Sequence, residues 1–432
     1  MEKPVAIVGA GLAGSEAALQ LARRGLRVEL YEMRPVRGTE VHKTADCAEL
    51  VCSNSLKSMK PESAAGMLKH ELDVLDSRLY AEAMRCAVPA GGALAVDRER
   101  FARAVTELIG ADPLIELRRG EVTSVSSLAS RSSAIVLATG PLTSDDLAAD
   151  LSGLVGDYLA FYDAAAPIVM ADSLDGSVLF RQSRYEDPEG ADGSRQGDYL
   201  NAPFSKDEYE RFICELLEAE RVIARDFETK DLFQACQPIE EITRAGFDAP
   251  RFGPLKPVGL TEPRTGRRPW AALQLRAEDA DGSCYNLVGF QTNLKFGEQA
   301  RAFRMIPGLK NAEFVRYGVM HRNTFINAPQ LLDSSLRLHS PVADELPAPV
   351  FVAGQLGGTE GYCEAIRSGL HAAISVTAHL RGCEAPALPT TTAFGALLAH
   401  ATDPETRDYQ PMHVNFGILP PLDETIRNKR ER

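Results

Sequence analysis

The sequence predicts an α/β protein: a discontinuous, three-layer domain of Rossmann type that binds a dinucleotide, with a smaller α+β domain inserted into it. Three observations carry that prediction. A strand, glycine turn, helix and second strand open the chain. The pattern of residues changes between 171 and 316, and a second strand–glycine–helix unit follows near the C-terminus. The expected division is 1–170 and 317–432 for the two parts of the nucleotide-binding domain and 171–316 for the insert. At 432 residues the chain has ample length for both cores.

Val5 to Val8 is a short apolar run of strand type, and Gly9, Gly11 and Gly14 then give G-x-G-x-x-G around Ala10, Leu12 and Ala13. Gly9 suits the tight turn, Gly11 lets the backbone approach a pyrophosphate, and Gly14 lets helix pack on strand. The helix that follows carries Ala17, Ala18, Leu21 and Ala22 on one face and stops at Gly25. Its N-terminus offers unpaired N–H groups and a dipole to a diphosphate. Val28 to Tyr31 reads as the next strand, and Glu32, 18 residues after Gly14, is placed to hydrogen-bond an adenosine ribose. A lone glycine motif is weak; here every part falls in order.

Residues 34–38 form a breaker-rich loop, and Ala48 to Ser58 is a small, polar, Cys-bearing segment beside the expected cofactor. Residues 61–86 show one helical periodicity, Asp97 starts another helix, and Ser133 to Pro141 is a buried strand ending in Ala-Thr-Gly. In the insert, Tyr185 to Asp198 suits a long exposed loop, Asp207 to Arg225 a helix, and Gln274–Arg276 and Tyr285–Phe290 short strands. The first pattern returns at Ala348. There a buried strand runs into Gly354, Gln355, Gly357, Gly358, Gly361 and Tyr362, then into a helix from Cys363 to Leu380. Those glycines put backbone N–H groups at a helix start, a natural site for the polar edge of a flavin. Closure by both chain ends favours FAD over a freely exchanging NAD.

Composition excludes several classes. No apolar stretch approaches the ~20 residues that span a membrane, and the eight cysteines contain no C-x-x-C pair, so neither a zinc site nor a dithiol motif is expected. Reduced thiols and a cytoplasmic location are expected. The net charge of −13 argues against indiscriminate nucleic-acid binding, while leaving room for local cation clusters: Lys57 and Lys60, Arg264 with Arg267 and Arg268, and the C-terminal tail.

Two thiols are candidates for chemistry. Cys52 sits among Ser53, Asn54, Ser55 and Lys57, groups that favour a thiolate, and Cys236 precedes Pro238, Glu240 and Glu241. A lone Cys is more often a small buried apolar residue, the reading kept for Cys86, Cys214, Cys284, Cys363 and Cys383. His321 has polar company, but a structural role is the better reading.

In these segments the chain resembles the folate- and FAD-dependent tRNA (uracil-5-)methyltransferases, relatives of the GidA flavoproteins. The matching stretches include Gly9–Gly14, Glu49–Lys57, Ala166–Val169, Asp198–Asn201, Cys236–Glu240, Phe252–Gly259, Tyr285–Thr292, Arg304–Leu309, Glu313–Asn327 and Gly354–Tyr362, nearly the whole length. The resemblance implies transfer of a one-carbon unit from 5,10-methylenetetrahydrofolate to C5 of a T-loop uridine in tRNA. It implies reduced FAD as methylene carrier and reductant, NAD(P)H as the source of electrons, tetrahydrofolate as a product, and no obligate protein partner. By motif Cys236 matches the nucleophile that adds to C6 of the uracil, and Cys52 the base near the flavin. Departures stand at Ala202, where the family is expected to carry a third Cys, and at Gly357, Thr359 and Asn293. They leave open a paralogue that methylates a uridine in ribosomal RNA. A small-molecule FAD/NAD(P)H oxidoreductase and a non-catalytic flavin-binding subunit are the alternatives from other classes.

Overall fold

The computed structural model describes residues 3–39, 41–156, 159–164, 166–184, 197–222, 237–318, 320–406 and 409–421. A five-stranded parallel sheet forms the frame, in the order Val350–Val352, Ala134–Leu137, Val5–Val8, Val28–Glu32, Ile115–Arg119. The last strand in the chain therefore closes the edge beside strands from the first third, as a discontinuous domain requires. Val5–Val8 and Ala134–Leu137 are buried at every position, the continuous apolar pattern of parallel strands covered on both faces.

Helices Leu12–Arg23 and Tyr362–Leu380 pack closely against one another. Gly369 makes that approach possible, because a Cβ there would stand 2.1 Å from the carbonyl oxygen of Ala13. The first helix ends as expected, with Gly25 in the left-handed region at φ 81°.

The expected single helix over 61–86 is two, Ala64–Val74 and Arg78–Arg85. The break has a visible cause. The buried carboxylate of Glu16 accepts the N–H groups of Arg78 and Leu79, Gln20 donates to the carbonyl of Asp76, and the Ser77 side chain caps the second helix. Partners from the first helix thus replace the hydrogen bonds of a continuous one.

A second core lies around a six-stranded antiparallel sheet, in the order Phe180–Arg181, Tyr199–Phe204, Ala271–Ala277, Cys284–Leu287, Ile168–Met170, Phe314–Arg316. Helix Lys206–Glu218 covers it, held at its start by a capping box between Ser205 and Glu208. Ala202, the position of the expected third Cys, is buried in this sheet opposite Leu273. The predicted loop over 185–196 and the helix end beyond 222 lie outside the described residues. Among the described residues no helix is long and apolar enough to cross a membrane.

Candidate active site

A cleft runs along the carboxyl ends of the parallel strands. Its wall carries Gly9, Gly11, Leu12, Ala13 and Glu32 from the first unit and Gly354, Gln355, Gly361 and Tyr362 from the last. The three motif glycines divide the work as their backbones dictate. At Gly9 (φ 99°) a Cβ would meet the Ala138 carbonyl oxygen at 2.5 Å, and at Gly14 it would meet the Gly9 oxygen at 1.9 Å. At Gly11 a Cβ would find nothing within 4 Å, and the helix behind it has no side-chain cap. Gly9 and Gly14 are thus bound by packing, whereas Gly11 keeps a backbone face open to the cleft.

Glu32 is buried and braced. Its carboxylate accepts the N–H of Ala10 at 3.1 Å and, from Arg34, the backbone N–H at 3.0 Å and Nε at 2.8 Å. Burial works to raise its pKa, but the Arg34 contacts and the Ala10 N–H outweigh it and hold Glu32 below the ordinary carboxylate value. Ala10, Gly14 and Gly358 are not on the cleft wall: Ala10 is buried behind the turn, and Gly358 packs against the ring of Tyr409.

At the far end of the cleft stand Cys52, Ser53, Ser55 and Lys57. Four side chains from distant elements fix this loop. The Tyr362 hydroxyl accepts the N–H groups of Cys52 and Ser53, at 3.1 Å each, and lies 3.0 Å from Cys52 Sγ. Arg316 donates to the carbonyls of Val51 (3.0 Å) and Cys52 (3.2 Å), and Arg98 donates to the carbonyl of Leu50 (2.9 Å) while paired with Glu278. Arg276 donates to Asn54 Oδ1 at 2.7 Å and to Ser53 Oγ at 3.3 Å. Burial, then the neighbouring Arg98, brings Arg316 down to about 10, and burial followed by the charge of Cys52 pushes Tyr362 well above the ordinary phenol value. Three arginines converging on one short loop give its sulfur a cationic surrounding.

The other sulfurs differ. Burial pushes Cys47 up to about 11 and Cys363 up to about 12, which keeps both as inert thiols at neutral pH. Cys236 lies outside the described residues. Ile239, three positions on, donates its N–H to the carbonyl of Gln291 (2.8 Å), itself a residue of the cleft wall. Beside it Glu240 is fully buried and accepts from Thr292 Oγ1 (3.0 Å) and the N–H of Asn293 (2.6 Å), with burial raising it to about 7. Phe290, within the matching stretch Tyr285–Thr292, does not reach the cleft and is packed inside the second core between Phe212 and Phe303. Arg98, Arg276 and Arg316 carried no local signal in the sequence; only the fold brings their guanidinium groups to this loop.

Comparison with known proteins places this geometry. The family described as glucose inhibited division protein A matches residues 4–384. A methylenetetrahydrofolate–tRNA-(uracil-5-)-methyltransferase TrmFO from Geobacter sulfurreducens is 52% identical over 432 residues, covering 100% of this chain and 96% of the relative. The protein of the same name from Thermosynechococcus vestitus is 51% identical over 433 residues, covering 100% of this chain and 91% of the relative. Among solved structures, Aquifex aeolicus GidA superposes with a TM-score of 0.69 at 16% identity, over 93% of this chain and 70% of that one. The likeness to the GidA structure shows the fold, and the identity along the whole chain shows the family. The chain belongs to the glucose inhibited division protein A family and, within it, to the TrmFO proteins.

Proposed function

We propose that this chain transfers a one-carbon unit from 5,10-methylenetetrahydrofolate to C5 of a T-loop uridine in tRNA, giving 5-methyluridine, with FAD in the cleft and NAD(P)H as electron source. One observation carries the reading: a dinucleotide cleft ends at a thiol loop that Tyr362 and three arginines hold in place.

The residues present fit FAD. Gly11 offers an open backbone face and an uncapped helix start for a diphosphate, and Glu32 lines the part suited to a ribose. At the other end the helix start at Gly361 has no side-chain cap, and Gln355 Nε2 has no partner among the described residues, so the polar edge of a flavin ring would satisfy both. When bound, reduced FAD supplies the electrons and carries the one-carbon unit.

The chain's own groups handle the base. Uracil C5 is a poor nucleophile until a thiolate adds at C6, which leaves enolate character across C4, C5 and O4. Cys236 forms that C6–S bond. After C5 has gained the carbon, Cys52 takes the C5 proton, and loss of the C6–S bond restores the double bond and frees Cys236. The cations around the Cys52 loop favour the thiolate needed for that step. The target base must be flipped out of the folded T-loop to enter the cleft.

Capture of tRNA containing 5-fluorouridine tests the roles. Cys236→Ala is expected to abolish the covalent adduct, and Cys52→Ala to keep it while losing turnover. Loss of the adduct in Cys52→Ala alone would reverse the assignment.

A further inference from the structure

We propose that the exposed face built by Phe252, Trp270 and the cations around them docks the sugar–phosphate backbone of the RNA substrate, at the opposite end of strand Ala271–Ala277 from the Arg276 that holds the Cys52 loop. This rests on the reading of tRNA as substrate and adds where the RNA lies.

Phe252, the last residue of the short 3-10 helix Ala249–Phe252, is 83% exposed, and with Arg251, Lys256, Arg268 and Trp270 it lines a shallow concavity. The Arg251 guanidinium lies 3.8 Å from the centre of the Trp270 ring, and Lys206 Nζ lies 5.6 Å from it. Three cations here are neutralised locally: Arg251 by Asp248 (3.2 Å), Arg264 by Glu262 (2.8 Å) and Lys206 by Glu210 (3.6 Å). Lys256, Arg267 and Arg268 have no carboxylate partner among the described residues. In a chain of net charge −13 such a surplus is local, and cations interleaved with an exposed aromatic match phosphates and an unstacked base or ribose.

The fold also sets the distance. Trp270 donates its N–H to Phe204, and strand Ala271–Ala277 then runs straight to Arg276, whose guanidinium grips Ser53 and Asn54 beside Cys52. Six residues at ~3.4 Å each set Trp270 about 20 Å along the strand from Arg276, a separation that several nucleotides of backbone would cover. An RNA with one base turned into the cleft has flanking backbone at that reach. A small-molecule substrate would leave this face without a partner.

The test uses the full, FAD-loaded chain and unmodified tRNA transcript. Lys256→Gln with Arg268→Gln, the two unpaired cations that line the concavity, is expected to lower the slope of log affinity against log salt by about 2 and to raise KM about tenfold, with kcat unchanged. Phe252→Ala is expected to raise KM with the salt slope intact. Arg103→Gln, exposed on helix Arg98–Ala111, serves as control and should change neither. A double variant with wild-type slope and KM overturns the docking face while methylation by the parent protein stands. A parent protein that binds no tRNA overturns both the docking face and the proposed function.

Discussion

The Tyr362 hydroxyl lies 3.0 Å from Cys52 Sγ while accepting two backbone N–H groups of the same loop, a contact between residues 310 positions apart. With its acceptor sites taken by N–H donors, the hydroxyl directs its single proton to the sulfur. One group therefore fixes the loop's position and hydrogen-bonds the anion that the reaction needs. Tyr362→Phe keeps the ring and removes both functions. Leaving these two half-buried N–H groups without their acceptor should cost about 1 kcal/mol each, and methyl transfer should fall at least tenfold while FAD is retained. Urea unfolding and single-turnover assays measure the two effects separately.

Arg316 makes a different prediction because it spans two carbonyls at once. Arg316→Lys supplies charge but not a planar fork, so it should fail nearly as badly as Arg316→Met. Either change should cost about 2–3 kcal/mol and reduce kcat more than the KM for folate. Activity in the Lys variant close to that of the parent would show that charge alone matters here.

The glycine turn allows folding to be separated from binding. Gly14→Ala should prevent the native fold, since its Cβ would overlap the Gly9 oxygen. Gly11→Ala meets nothing in the protein and should fold, with apoprotein unfolding close to that of the parent, yet lose most bound flavin. Apoprotein Tm and flavin content after refolding give the two readouts.

Glu240 predicts a pH dependence of stability. Burial raises its pKa from 4.5 to about 7, so between those values the native state keeps a proton that the unfolded chain releases. Stability from this group is therefore present at low pH and declines as pH rises through that window, by up to roughly 3 kcal/mol. Glu240→Gln should flatten the decline. Urea midpoints from pH 5 to pH 8 for both proteins would decide it, and an unchanged slope in the variant would place the titration elsewhere.

The N-terminal unit and its C-terminal counterpart were legible because local patterns determine them: the period of the apolar residues, and glycines where a Cβ collides. The end of the first helix at Gly25 follows from such local rules, and so does the start of the helix after the C-terminal glycines, at Tyr362, one residue before the expected Cys363. The single helix expected over 61–86 failed because its break depends on Glu16 and Gln20, more than fifty residues away. Arg98, Arg276 and Arg316 were illegible for the same reason. Each reaches the Cys52 loop from a distant element, and no spacing within the chain announces that meeting. Phe290 shows the converse, an aromatic of suggestive setting that tertiary packing assigns to a core.

The most direct test of the central claim is methylation of unmodified tRNA transcript with FAD, NADPH and methylenetetrahydrofolate labelled in its one-carbon unit. A parallel transcript carries cytidine in place of the T-loop target uridine. Label in the first transcript and none in the second is the predicted result, and it fixes donor, reaction and target together. Steady NADPH oxidation with no label in either would contradict the account, leaving a flavoprotein fold with a different substrate.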